Sequence, residues 1–354
     1  MRIIFYIAQL SGGGAERVIS NLANTFCEDG HEVQMVTTVK KDNEYSLNRN
    51  VVRHVIDDEL TAQGKKLSII SRIQYLRWLC DSFQADILVS FMGANYHAVI
   101  ATLGKKTKSV ISVRNMPEHE YPGLFNRIFS HLLFRFTNGC VFQTDEAKAW
   151  FPKQVQKKST IIFNAVGDDF FHTELKTQPS VIVTCGRLEP QKNHAMLIEA
   201  MKKVKEKVDN VQLRIYGEGS LQAELEQQID QMGLSASVFL MGKTDNVPDV
   251  LSNAEVFVLS SDFEGMPNAL MEAIAMGLPC ISTDCSCGGP KMLLREDNGI
   301  LVPVGNTDAM ANAIIEMLTG NNKLEYAKRA KLFSNNFKPD TIYNEWKCYL
   351  ESIK

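Results

Sequence analysis

The sequence has no Asp-x-Asp pair, no Cys-x2-Cys pair and no histidine cluster, so no four-ligand metal set is written into it. It also has no apolar stretch near the ~20 residues that a spanning helix needs. Basic residues are not in excess. The chain carries 38 Lys and Arg against 41 Asp and Glu, a net charge of −3, whereas coating nucleic acid needs a basic face, so no nucleic-acid partner is expected. No small-residue cleavage site follows the opening run MRIIFYIAQL, which reads as a first strand rather than a signal peptide. The eight cysteines are scattered and sit mostly in apolar runs, as Cys80, Cys140, Cys185 and Cys280 do, where a thiol acts as a small hydrophobe. Together these absences predict a cytoplasmic protein in a reducing compartment, at most peripheral on the inner face of the cytoplasmic membrane.

What is present is a chain of 354 residues, 45% hydrophobic, long enough for two domains. Its charge is uneven: residues 1–172 hold 20 Lys and Arg against 17 acids, and residues 173–354 hold 18 against 24. The first half is therefore the better match for an anionic partner. Short β-branched runs alternate with helical patterns, the mark of parallel sheets with crossover helices. Seven strands are expected in the first half (RIIFYIA, EVQMVTTV, VVRHVI, DILVSF, SVISV, GCVFQT, STIIFN) and six in the second (VIVTCG, VQLRIYG, SVFLMG, VFVLSS, PCISTD, GILVPV). Thirteen strands exceed one ordinary open sheet, so two doubly wound α/β domains are predicted, residues 1–166 and 167–338, with the helix 339–354 packing back on the first. The polar segment 164–180 reads as the linker. Ligands in such folds bind beyond the carboxyl ends of the strands, which here predicts a cleft between the domains.

The richest stretch is SSDFEGMPNALMEAIAMGLPCIST, residues 260–283. Pro267 suits the first position of a helix that Gly277 closes. Glu264 then lies just before the helix and Glu272 nearly two turns into it. Between them, the amides of Gly265, Met266, Pro267's neighbour Asn268, and Ala269 meet the positive end of the helix dipole, a seat for phosphate. Carboxylates flanking a phosphate suit a ligand that also presents hydroxyls, as a ribose or sugar ring does. The bland alternative makes Glu272 a solvated helix residue and Glu264 a turn residue. In VTCGRLEPQKNHAMLIEAM, residues 183–201, a strand leads through Gly186 to Arg187 and Lys192, and Asn193 caps the next helix. A forked guanidinium and an ammonium five residues apart would neutralise a diphosphate leaving group.

These motifs resemble the retaining glycosyltransferases of the GT-B fold, family four, nearly end to end. The resemblance implies two Rossmann-like domains facing across a cleft. It implies that Glu264 and Glu272 read the sugar and ribose of a nucleotide sugar, that Arg187 and Lys192 hold its diphosphate, and that MGKTDNVPDVL, residues 241–251, lies under a uracil contacted at Gly242. It further implies a UDP-sugar donor, a glycan or polyprenyl-diphosphate-linked acceptor, and no cofactor beyond the substrate. Metal is replaced by positive side chains and helix dipoles. Many members carry a histidine where this chain has Arg114 and Asn115. Arg114 stays protonated and is no general base, so it joins Glu264, Arg187 and Lys192 as a positioning charge, with His119 five residues on as a substitute for the histidine or a plain loop residue. A second departure is Met292, where the family often has a glutamate after the CGGP turn.

With the nucleotide in the second half, the opening loop SGGGAER becomes the facing lip of the cleft. There Gly13 and Gly14 would approach the donor's diphosphate, and Glu16 or Arg17 would contact the acceptor or cap the helix near Ala15. Segments 64–83 and 123–136 mix Leu, Ile, Phe and Trp with Lys65, Lys66, Arg72, Arg77, Arg127 and Arg135. They read as a seat for an anionic membrane surface, or as apolar faces packed on a sheet. A GT-B-fold sugar-nucleotide epimerase and a non-catalytic nucleotide-sugar sensor remain alternatives. A NAD oxidoreductase lacks its G-x-G-x-x-G and the acidic end of the second strand.

Overall fold

The computed structural model describes residues 1–295 and 297–354. The strands of the first half are β1 (Arg2–Ile7), β2 (Glu32–Thr37), β3 (Val52–Val55), β4 (Ile87–Phe91), β5 (Lys108–Ser112), β6 (Gly139–Phe142) and β7 (Ser159–Ile161). They lie parallel in the order β3-β2-β1-β4-β5-β6-β7, with Ile3 opposite Val33 on one side and Ile87 on the other. The second half supplies β8 (Val181–Cys185), β9 (Gln212–Tyr216), β10 (Val238–Gly242), β11 (Val256–Leu259), β12 (Cys280–Thr283) and β13 (Ile300–Val302), parallel in the order β10-β9-β8-β11-β12-β13. Twelve of the thirteen fall within the runs read from the sequence, and β5 begins one residue earlier, at Lys108. Central strands such as β4 and β11 are buried along their whole length, because crossover helices cover both faces of each sheet.

The chain divides into two compact units, residues 1–164 with 342–354, and residues 165–341. In the second, the apolar face of the helix His194–Lys205, with Met196, Leu197, Met201 and Val204, packs on the sheet beside Ile182, Leu213 and Ile215. In the first, the final turns of the chain close the core. The helix Pro339–Ile353 buries Ile342, Trp346 and Leu350, four residues apart on one face. Trp346 stacks on Phe91 with ring centroids 6.0 Å apart, and the Tyr349 hydroxyl reaches the Cys140 amide at 2.8 Å and the Lys158 carbonyl at 2.6 Å. Gly139 makes this contact feasible, since a Cβ there would lie 2.4 Å from Ile353 Cδ1. Lys347 and Tyr343 both bond Asp29, which anchors the helix to the turn after Gly14–Glu28.

Two local expectations shift by one residue. Pro267 is the N-cap of the helix Asn268–Met276 rather than its first helical residue, and the first helix begins at Gly14 rather than Ala15. Proline's fixed φ suits either flank of a helix start, and glycine tolerates the extended N-cap that Gly13 adopts.

Trp346→Ala removes a fully buried indole from between two units of secondary structure. A loss of about 3–5 kcal/mol in urea unfolding is expected, and Trp346→Phe should recover most of it.

Candidate functional site

In doubly wound sheets, ligands bind outside the carboxyl ends of strands where the strand order reverses. The second sheet reverses between β8 and β11, and the segments 186–193 and 260–267 leave those two strands side by side. Side chains tie them together. Gln191 donates from Nε2 to the Phe263 carbonyl at 2.9 Å, Asn193 Nδ2 to Asp262 Oδ1 at 2.6 Å, and Ser260 Oγ to the Lys192 carbonyl at 2.8 Å. Asn193 sits in the left-handed region at φ 45° and caps its helix by accepting from the Met196 amide. At the middle of this junction Lys192 Nζ pairs with Glu264 Oε1, which also accepts from Ser261 Oγ at 2.7 Å. Both partners are largely withdrawn from water, with side chains 16% and 8% exposed.

Close backbone approaches shape this junction. The Lys192 stem folds over Gly186, where a Cβ would sit 3.3 Å from its Cδ and Cε. The segment after β9 passes so near that a Cβ on Gly217, held at φ +148°, would lie 1.9 Å from the Gly186 carbonyl. Arg187 stays exposed beside Glu189, whose carboxylate is held by the amide and hydroxyl of Ser220. On the other strand, Gly265 and Met266 are buried, and a Cβ on Gly289 would lie 1.8 Å from the Gly265 carbonyl. Glu272 is 7% exposed, so it is no solvated helix residue. Its charge reaches Cys185 at the end of β8, where burial first and then Glu272 push the thiol up to about 12. Asn268 and Ala269 open the helix half-buried, and Gly242 ends β10 at φ +72°, after the exposed Met241 and before a loop with the exposed Asp245. Thus Lys192, Glu264, Gly186 and the start of Asn268–Met276 meet at one point, with Arg187 on its rim.

The first sheet reverses between β1 and β4. After β1, Gly12 takes φ +84° and Gly13 is the extended N-cap of the helix Gly14–Glu28. A Cβ on Gly13 would lie 2.1 Å from Glu16 Oε2, so the Glu16 side chain folds back over the helix start. The Arg17 amide donates to the Gly13 carbonyl at 3.2 Å. Arg114 lies just past the end of β5, withdrawn from water. Its guanidinium is 9% exposed, lies 4.4 Å over the Phe91 ring and 5.5 Å from that of Trp346, and donates to Asn164 Oδ1 at 2.8 Å. That bond is made by Nη1, while Nε and Nη2 are buried without a hydrogen-bond partner. Below it, Glu120 accepts from the Arg114 and Asn115 amides and from the Tyr121 hydroxyl at 2.6 Å; burial pushes its carboxyl up to about 7. His119 is exposed in the turn Pro117–Glu120.

Several groups at these edges carry no sequence signal. Gln191 and Ser261 hold Glu264, and His194 is buried behind Lys192 with its ring against the backbone of Gly186 and Arg187 but without a well-formed hydrogen bond. At the edge of the first sheet, the buried Tyr6 hydroxyl meets His97 Nδ1 at 2.8 Å and Thr38 Oγ1 at 3.1 Å, beside the Arg72–Asp57 pair. A tyrosine inside a buried strand is apolar in pattern, so only the fold exposes its polar partners.

Comparison with known proteins divides the chain in a similar way. A family model described as Glycosyl transferases group 1 matches residues 166–333, and one described as Glycosyltransferase Family 4 matches residues 12–170. The chain is 25% identical to a Campylobacter jejuni GalNAc-alpha-(1->4)-GalNAc-alpha-(1->3)-diNAcBac-PP-undecaprenol alpha-1,4-N-acetyl-D-galactosaminyltransferase, covering 100% of this chain and 99% of that protein. It is 26% identical to an N-acetylgalactosamine-N,N'-diacetylbacillosaminyl-diphospho-undecaprenol 4-alpha-N-acetylgalactosaminyltransferase of the same organism, with 98% of each covered. Among solved structures, Anabaena HepE in complex with UDP superposes with a TM-score of 0.81 at 18% identity, covering 99% of this chain and 100% of that one. Such likenesses, with the two parallel sheets, give the fold as GT-B.

Burial first, and then the Lys192 ammonium, lower the His194 pKa from 6.5 to about 4. The unfolded imidazole therefore takes up a proton before the folded one does. Its contribution to stability is complete above pH 6.5, falls as the pH drops towards 4 and is constant below. Glu120 acts with the opposite sign, so the comparison is between proteins: wild type should lose about 3 kcal/mol more than His194→Gln between pH 7 and 4 in urea unfolding.

Proposed function

Because the chain belongs to the glycosyl transferases group 1, we propose that it moves a hexose or N-acetylhexosamine from a UDP-sugar to a glycan or polyprenyl-diphosphate-linked acceptor. Transfer proceeds with retention at the anomeric carbon and without a metal ion. The observation that carries this reading is the buried Lys192–Glu264 pair at the reversal point of the second sheet, next to the start of Asn268–Met276. Here a cation for phosphate and a carboxylate for sugar hydroxyls sit within one hydrogen bond of each other. The Campylobacter relatives, whose acceptors are undecaprenyl-diphosphate glycans, support the acceptor class, and HepE, seen with UDP, supports the donor.

In the reaction, the acceptor oxygen bonds to the anomeric carbon while the bond from that carbon to the β-phosphate oxygen breaks. The acceptor proton passes to the departing oxygen on the same face, giving UDP and a retained glycoside. Lys192, Arg187 and the helix dipole stabilise the charge that develops on the diphosphate. Glu264 holds the sugar, Glu272 the ribose, and the residues around Gly242 the uracil. The chain's own contribution is position and electrostatics.

A place at an anionic bilayer fits this acceptor. Leu124, Phe125, Ile128, Phe129 and Leu132 form an exposed stripe along the helix Gly123–Leu133, continued by Phe136, with Arg127 and Arg135 beside it. Segment 64–83 contributes less charge than its composition suggests. Arg72 is bonded to both oxygens of Asp57, and Arg77 to the Ala101 and Leu103 carbonyls. No helix among the described residues is long and apolar enough to cross a membrane, so the contact proposed is peripheral, on the inner face of the cytoplasmic membrane.

A panel of UDP-sugars with a polyprenyl-diphosphate glycan tests the reading. Transfer to an α-linked product that survives EDTA supports it; isomerisation of the donor marks an epimerase, binding without turnover a sensor, and loss with EDTA restored by magnesium removes the metal-free mechanism. Arg187→Ala, exposed and outside the buried pair, should lower kcat about 100-fold at unchanged thermal stability. Phe125→Ser with Leu132→Ser should abolish co-sedimentation with phosphatidylglycerol vesicles at low salt while leaving transfer to a water-soluble acceptor intact.

A further inference from the structure

In the second unit, a pocket of about 520 Å3 lies between the short helix Asp169–His172 and the helix Lys323–Phe333. Lys328, Lys331, Lys338 and His172 line it, against a single carboxylate, Asp168. Some lysines elsewhere on the chain pair with acids, as Lys105 does with Asp81 and Lys347 with Asp29. Among the described residues no carboxylate pairs with Lys328, Lys331 or Lys338. Two of the three ammonium groups crowd one aromatic ring, at 5.5 Å and 5.9 Å from the centre of Phe171. Burial first, and then the neighbouring Lys338, depress the Lys331 pKa. Like charges so placed repel one another, which an anionic ligand would relieve.

Lys331 is also fixed in place. Its ammonium donates to the Phe171 carbonyl at 3.2 Å and the Ala275 carbonyl at 2.5 Å, which leaves the third of its three protons for a ligand. Ala275 belongs to the last turn of Asn268–Met276, whose first turn belongs to the nucleotide-sugar site. Nine residues at 1.5 Å each separate the two ends by about 13 Å. The pocket is therefore a separate place. Its rim is partly apolar: Leu324 and Leu332, four residues either side of Lys328 on the same helix face, are 65% and 73% exposed.

We propose that this pocket binds a phosphate group of a second ligand, held by Lys328, Lys331 and Lys338 with His172 at its edge. The shared chemistry is a phosphate monoester or diester, whether on a soluble metabolite or on a lipid headgroup whose chains lie along Leu324 and Leu332. The assignment does not rest on the transfer reaction.

Isothermal titration of the full chain tests it, with inorganic phosphate and with dihexanoyl-phosphatidylglycerol below its micelle concentration, each with and without saturating UDP. The expected result is a UDP-insensitive site that Lys328→Ser with Lys338→Ser weakens about ten-fold or more; both residues are exposed, so the variant should fold normally. Comparable binding of both probes indicates a soluble phosphate ester, and preference for the lipid a headgroup. The proposal is overturned if the variant binds both probes as wild type does, or if all binding disappears with UDP, which would place the phosphate in the nucleotide site.

Discussion

The structure of the second unit turns on one buried ion pair. Lys192 and Glu264 leave different strands of one sheet, and their contact joins the two segments that flank the reversal of strand order. Removing either partner of such a pair leaves a charge stranded in a low-dielectric setting, at a cost of about 3–5 kcal/mol. Everything near it serves the pair. Ser261 and Gln191 donate to the Glu264 carboxylate, Asn193 and Asp262 lock the loops in register, and Gly186 clears the path of the lysine stem. A buried pair at this position is poor at stabilising a fold, because well-packed apolar residues would do as well. Its value lies in holding two functional groups at a fixed separation before any ligand arrives.

The first unit buries a charge by other means. Two aromatic faces flank the Arg114 guanidinium and Nη1 donates to the Asn164 amide oxygen, itself fixed by Gln143 at 2.8 Å, while Nε and Nη2 stay buried without a hydrogen-bond partner. One of those faces is Trp346, brought in from the far end of the chain. Burial lowers the Arg114 pKa to about 9. Glu120 sits close enough to oppose that shift, yet bonds the backbone amides of Arg114 and Asn115 rather than the guanidinium. Arginine at this place therefore pins the loop after β5 to the C-terminal helix.

Much of the fold is legible in the sequence for a simple reason. Parallel strands buried on both faces must be short continuous apolar runs, and the turn residues that bound them are few. The runs RIIFYI and VFVL could hardly be anything else. The loops after β8 and β11 are legible too, because a lysine, a glutamate and a helix start at fixed distances from strand ends carry their own chemistry. What escapes is anything decided by side-chain direction across the fold. Arg72 and Arg77 count as basic surface in any composition, yet both are spent on internal acceptors. Tyr6 reads as one more apolar strand residue until His97 and Thr38 meet its hydroxyl. Glu272 could be solvent-facing by spacing alone, and only the packing of its helix buries it.

On the proposed function, the pair would also constrain how a UDP-sugar donor enters. In the structure the Lys192 ammonium already has a carboxylate partner, so a diphosphate gains it only by sharing or displacing Glu264. A phosphate arriving without a sugar would strip the lysine from Glu264 and leave that carboxylate buried without its cation, which is unfavourable. A sugar diphosphate supplies both halves of the exchange, phosphate oxygens for Lys192 and hydroxyl donors for Glu264. On the proposed function, selectivity for the intact donor over its diphosphate fragment would follow from the free site being electrically satisfied already, and would weaken if either charge were removed. The same logic explains why the glycines at 186 and 217 matter as much as the charged groups: a backbone shifted by a Cβ clash would move Lys192 off Glu264, and the exchange would lose the fixed geometry on which it depends.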